Sequence, residues 1–230
     1  MYDFEWDVVF RHRDEFLSGL WLALRLAFFS LAIGSAIGLL LAFARTSGRR
    51  LLGLLAAAYV EFIRDIPLLL IIFIFYFGLP IFAYNTFQPE IADRLVFDGE
   101  TSMIIALSIY AGAYLAEIFR AGIVSVSGRY MDAGRSLGLT RWGVARYVVM
   151  PIMFRNVLPS LSNTLISLFK DTSLAFAIAV PELTFQARKL NTDTFRTLEA
   201  WTAAGALYLV TCYGLALLLR AAERRIRWSV

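Results

Sequence analysis

The chain has almost none of the side chains that carry hydrolytic or redox chemistry. Its single histidine, His12, and single cysteine, Cys212, exclude a His/Cys metal cluster and any intramolecular disulfide, and no nucleophile–base–acid set is recognisable around that histidine. No GxxxxGK[ST] loop is present, so the chain has no phosphate-cradling motif of its own. Charge is scarce too: 17% of residues are Asp, Glu, Lys or Arg, against roughly 25% in a soluble domain. The first ten residues, MYDFEWDVVF, lack the basic flank and cleavage site of a signal peptide, so the first apolar span is expected to be retained. Carboxylate-only membrane chemistry is left open by these absences, and nothing points to it.

What fills the chain instead is apolar surface. Of 230 residues, 59% are hydrophobic, and the mean hydropathy is +0.66. The stretches 26–44, 66–87 and 200–219 are uncharged and close to the ~20 residues a helix needs to cross the hydrocarbon. Strands this continuously apolar would not alternate as a barrel requires, so the fold class is all-α, a polytopic membrane protein of about five spans. The spans are expected near 19–44, 51–82, 101–120, 152–180 and 200–219. Pro67 should kink or break the second. Gly34, Ser35 and Gly38 place small residues at helical spacing in the first, which suits close helix packing. Residues 1–18 form an interfacial segment with aromatic anchors, residues 19–220 the membrane domain, and residues 221–230 a basic tail.

Charge sets the expected orientation. With the Arg45 loop, the segment from Arg120 to Arg155 and the tail on one side, that side carries thirteen basic residues and two acids. The opposite side carries six basic residues and twelve acids. The positive-inside rule makes the first side cytoplasmic and puts the N-terminus outside. The net charge of +4 belongs to these arginines and does not imply nucleic-acid binding.

Some charges fall within the spans, where each costs at least ~2.5 kcal/mol unless paired or wetted. Glu61, Arg64 and Asp65 share one helical face just before Pro67. On the fourth span, Asn156, Ser160, Asn163, Ser167 and Lys170 recur every three or four residues, beside Asp171. That stripe should face a cavity or a protein interface. Two readings weigh evenly: structural pairs and subunit interface, or a substrate path of Glu61, Arg64, Asn163, Ser167, Lys170 and Asp171. In the second, a cavity between the second and fourth spans offers Arg64 or Lys170 to a carboxylate and Glu61 to an ammonium. Glu117 and Arg120, three apart near the cytoplasmic end, read as a structural pair.

The segment 130–151, YMDAGRSLGLTRWGVARYVVMP, stands apart from the spans. It reads as a short basic helix closed by Gly138, a turn, and a second helix over 141–150 capped by Thr140. Its spacing resembles the coupling loop of ABC-importer permeases: Asp132-Ala133-Gly134, three residues, Gly138, nine residues, then Val148-Val149-Met150-Pro151. Asp132, Gly134, Val148 and Met150 stand where that pattern has Glu, Ala, Ile and Leu. YVEFIRDIPLLL (59–70), YFGLP (76–80), AYLAEIFRAGI (113–123), LPSLSNTLISLFKDTSL (158–174) and VPELTFQA (180–187) extend the resemblance to the permeases of the histidine/glutamine/arginine/glutamate group.

The resemblance implies a type I importer permease in the bacterial inner membrane, N-terminus outside and C-terminus cytoplasmic, moving a polar amino acid. It implies ATPase coupling through Asp132, Ala133, Gly134, Ser136, Leu137, Gly138, Leu139 and Pro151. It also implies a second permease, identical or homologous, two cytoplasmic ATPases that hold ATP and Mg, and an external solute-binding protein. The chain itself would bind no cofactor and would not be an enzyme. A channel or carboxylate-based membrane enzyme with a coincidental loop is the competing expectation.

Overall fold

The computed structural model describes residues 2–227. Met1 of the N-terminal segment and residues 228–230 of the tail lie outside the described residues. The helices are α1 (Asp7–Arg11), α2 (Arg13–Thr46), α3 (Arg50–Asp65), α4 (Leu68–Phe73), α5 (Leu79–Thr86), α6 (Pro89–Ala92), α7 (Gly99–Val124), α8 (Gly128–Ser136), α9 (Arg141–Val144), α10 (Met150–Asp171), α11 (Leu183–Thr194) and α12 (Thr197–Arg227). Among the described residues there are no strands. Helices over Arg13–Thr46, Leu68–Thr86, Gly99–Val124 and Thr197–Arg225 are long and apolar enough to cross a membrane. A fifth crossing is available if Arg141–Ile178 and Leu183–Thr194, bent by 46°, act as one broken span.

The axis of the fold is the pair α2 and α7, whose backbones touch because the contact is made of glycine. A Cβ at Gly34 would fall 2.8 Å from Ala111 Cβ, and one at Gly38 would fall 2.8 Å from Leu115 Cβ and 2.9 Å from the backbone nitrogen of Ala116. The small-residue spacing of the first span has this use. Around the pair, Leu26, Ile72, Met103, Leu107, Leu115, Phe119, Met153 and Phe169 form the main buried core.

Proline places the breaks. Ile66 and Pro67 are extended, with ψ of 131° and 133°, because a residue before proline is pushed out of the helical region. The expected single second span is therefore two helices. α3 stops at Asp65, and the crossing is made by 68–86. Two π turns, Ile74–Gly78 and Ala145–Val149, each stop one residue before Leu79-Pro80 and Met150-Pro151 respectively have begun the next α turn. In each, the last donor before the proline reaches back five residues: Leu79 N–H to Ile74 O and Met150 N–H to Ala145 O. The proline cannot donate, and the widened turn absorbs the mismatch without ending the helix. The second helix of the coupling stretch therefore runs on into α10 instead of ending at residue 150.

The first span also begins earlier than expected. α2 starts at Arg13, and Phe16, expected in an interfacial segment, is buried against Leu183, Ala187, Leu190, Ala200 and Ala204. Gly19 lets α11 approach: a Cβ there would lie 2.9 Å from the Glu182 backbone carbon. The segment between the expected fourth and fifth spans supplies this second core through α11.

Candidate functional site

A cavity of about 490 Å³ opens between α7 and α10, a size suited to a small polar molecule. α10 contributes Ser160, Asn163, Thr164, Ser167 and Asp171 to it; α7 contributes Tyr110, Tyr114 and Ile118. Of the polar stripe, Ser160, Asn163 and Ser167 line this cavity. Helical periodicity explains which members reach it: residues 160, 163, 164, 167 and 171 fall on one face. A second recess of about 470 Å³, toward the α7 C-terminus, shares Ile118 and Ser160 with the first and adds Glu117, Ser125 and Asn156. The Asn156 amide donates to Ser125 Oγ at 2.9 Å.

The wall opposite α10 is α7, not the second span. Glu61 and Lys170 do not line the cavity; both side chains are exposed. Lys170 precedes Asp171 and so points about 100° away around the helix. Glu61 lies on the exposed face of α3, before the break. Arg64 is likewise exposed and outside the lining, but its guanidinium carbon sits 5.2 Å from the ring centroid of Tyr114, which is in it. Tyr110 and Tyr114, with ring centroids 4.7 Å apart, were not singled out from the sequence. Their spacing of four in SIYAGAYLAE was the available signal, two phenols on one face of an otherwise apolar helix.

Glu117 accepts from Arg120 Nε at 2.9 Å and also pairs with Arg45 from the last turn of α2. The structural pair read from the sequence is a triad that ties the ends of α2 and α7 together.

The stretch 130–151, which resembles a coupling loop, follows α7. Ser127 caps α8. The helix ends in a Schellman motif: Gly138 N–H donates to Arg135 O at 2.9 Å and Leu139 N–H to Gly134 O at 3.1 Å, with Gly138 at φ +80°. Thr140 Oγ1 then accepts from Gly143 N–H at 3.1 Å and starts α9. Asp132 lies 3.7 Å from Arg135, and Ser136 Oγ donates to Asp132 O at 3.0 Å. Gly134 is buried under Val144 and Val148, so α8 lies flat on the start of the following helix. Ala133, Ser136 and Pro151 are exposed, as are the apolar Leu137, Trp142 and Tyr147. Leu137, 83% accessible at the turn, is the most prominent.

Residues 34–228 match the family model for the inner membrane component of binding-protein-dependent transport systems. This chain belongs to that family. The match covers α2 from its middle onward, the cavity and the coupling stretch, and it makes the chain a multi-pass inner-membrane transport component. The glutamine transport system permease protein GlnP of Escherichia coli K12 is 36% identical over 97% of this chain and 98% of its own length. The octopine transport system permease protein OccM of Rhizobium radiobacter is 37% identical over 84% of this chain and 78% of its own. A crystal structure of an amino acid ABC transporter with histidines superposes with a TM-score of 0.85 at 32% identity, covering 97% of this chain and 100% of that one. The helical architecture is therefore that of a type I importer permease, as the sequence resemblance implied.

Proposed function

We propose that this chain is the membrane-spanning permease of an ATP-driven importer for a polar amino acid. The observation that carries the proposal is the α7–α10 cavity, where hydroxyls, an amide and one carboxylate converge inside a chain of this transport family. A zwitterion needs a cation for its carboxylate and an acceptor for its ammonium, both offered where water is scarce. Asp171 suits the ammonium, taking the role expected of Glu61. Asn163 and Ser167 supply neutral hydrogen bonds, and Arg64 lies against the Tyr114 ring. The similar proteins are named for the transport of glutamine and octopine.

The rest of the assembly follows the same reading. α8 and its turn form a rigid knob whose exposed Leu137, Trp142 and arginines suit a groove on a cytoplasmic ATPase. A second permease, the same or homologous, faces this one. In this reading Lys170 and Glu61, both exposed, would face that partner. A solute-binding protein delivers substrate on the acidic side, where the N-terminus lies.

The test is uptake by proteoliposomes containing the assembled transporter and its binding protein. Given L-glutamine, L-arginine, L-histidine and L-glutamate, at least one should accumulate, and only with ATP inside. Flux without ATP would make the chain a channel.

A further inference from the structure

We propose that Tyr114, which lines the cavity, is a positioning residue that holds the neighbouring Arg64 guanidinium against its ring as the anchor for the α-carboxylate of the transported amino acid. This rests on the reading of the α7–α10 cavity as the substrate's passage.

Arg64 lies in the last turn of α3, next to the break at Pro67. Its sequence neighbours Glu61 and Asp65 are natural partners for it. Yet among the described residues no carboxylate lies within ion-pair distance of Arg64. Its guanidinium is held by an aromatic face, 5.2 Å from the Tyr114 centroid. The distinction matters chemically. A carboxylate partner would neutralise the charge and occupy its N–H fork. A ring attracts the cation through its quadrupole and leaves the fork free for bidentate contact with a carboxylate. The same ring is part of the cavity lining.

Tyr114 is itself fixed. It is half-buried on α7 between the fully buried Ala113 and Leu115, and it packs on Tyr110. The α2–α7 glycine contact begins one helical turn or less away, at Ala111 and Leu115. An arginine on the end of a helix that stops at a proline break would otherwise sample many rotamers; the ring limits that sampling. Asp171 belongs to the same lining and supplies the opposite charge; Arg64, exposed beside the Tyr114 ring, would complete the pair a zwitterion requires.

The ring face is the operative group, and the phenol hydroxyl is not. The experiment uses the assembled transporter in detergent, without binding protein, and the amino acid from the panel that the wild-type complex takes up fastest, radiolabelled. Direct binding is measured, with the α-carboxamide of the same amino acid as competitor. Tyr114→Phe should bind as wild type. Tyr114→Leu should weaken binding by about 2- to 30-fold, the range that corresponds to loss of one cation–π contact. 3,4,5-Trifluorophenylalanine at position 114 keeps the volume and depletes the ring face; it should weaken binding in the same direction even if the leucine variant assembles poorly. Arg64→Gln should weaken binding at least as much and remove the preference for the acid over the amide. The double variant Arg64→Gln/Tyr114→Leu should be no weaker than Arg64→Gln alone.

Wild-type affinity in the trifluorinated and leucine variants, with Arg64→Gln impaired, would overturn the positioning role and leave the cavity intact. Wild-type affinity in both Arg64→Gln and Asn163→Ala would overturn the cavity reading itself.

Discussion

The Tyr208 hydroxyl donates to Glu182 Oε2 at 2.9 Å, from the middle of α12 to the cap of α11. Glu182 is fully buried, and its two oxygens also accept the N–H groups of Thr184 and Phe185, both at 2.9 Å. The Tyr208 and Thr184 hydroxyls are 3.0 Å apart. A carboxylate taken wholly out of water is tolerable only because every side of it is met by a donor.

Glu182→Ala removes a helix cap and three hydrogen bonds to a buried carboxyl. It should lower stability by about 3 kcal/mol. Tyr208→Phe leaves both backbone donors in place and should cost about 1.5 kcal/mol. Thermal unfolding in detergent reads both. Equal melting temperatures for wild type and Glu182→Ala would show that the buried cap contributes nothing.

Glycines on two helices separate close approach from permissiveness. Gly38→Ala places a Cβ 2.9 Å from a backbone nitrogen of α7, where nothing flexible can yield, so the α2–α7 pair must part. Gly53, inside α3, has no atom nearer than 3.9 Å to such a Cβ. Gly53→Ala should stabilise by up to about 1 kcal/mol through helix propensity. Opposite shifts in melting temperature are expected, and a stabilised Gly38→Ala would remove the tight-packing account of that helix pair.

These contacts show which features one stretch of chain can reveal. Pro67 acts on its own neighbour, so the break after Asp65 is legible locally. Gly138 and Thr140 likewise announce the α8 turn. The polar stripe on α10 is legible by its period, but the helix it faces is not, because that depends on the register of α7 against α2. So the cavity wall is Tyr110 and Tyr114, and Glu61 and Lys170 fall outside it. Phe16 looks interfacial in its own window; its burial depends on α11 and α12, far along the chain. Arg45 joins Glu117 and Arg120 for the same reason.

Orientation gives a third prediction. In a Cys212→Ser background, single cysteines at Asp98 and Asp193 should react with an impermeant thiol reagent added to intact cells. Cysteines at Arg49 and Gly138 should react only after permeabilisation. The reverse labelling pattern would invert the proposed topology.

The α7 cap gives a pH dependence. Asp98 accepts from Thr101 N–H at 3.0 Å, and hydrogen bonding with Thr101 holds its carboxyl below the usual range despite some burial. The folded state therefore favours the ionised form. The contribution is full above the unfolded pKa, near 3.9, and is lost as pH falls through the lower folded value. The group is largely solvent-exposed, so the effect is small. Asp98→Ala should lower the melting temperature at pH 7 and narrow its gap from wild type as pH drops below about 4. A gap that is constant with pH would show that the carboxylate charge plays no part.

The coupling stretch gives the last prediction, and its geometry separates two kinds of damage. Gly138 sits at φ +80° and donates to Arg135 O at 2.9 Å. Proline there fixes φ near −65° and deletes the donor, so Gly138→Pro should unfold the α8 turn. Leu137 is different. It is 83% accessible, and replacing it with glutamate removes no internal contact of comparable weight. Both variants should insert normally, because the stretch lies between spans. Both should lose ATPase activity stimulated by loaded binding protein in proteoliposomes. Leu137→Glu should do so with an unchanged melting temperature, as expected when the damaged contact belongs to the partner. Asp132→Arg reverses a charge 3.7 Å from Arg135 and should behave like Leu137→Glu. Wild-type stimulation in Leu137→Glu and Asp132→Arg would mean that the ATPase docks elsewhere on the cytoplasmic face.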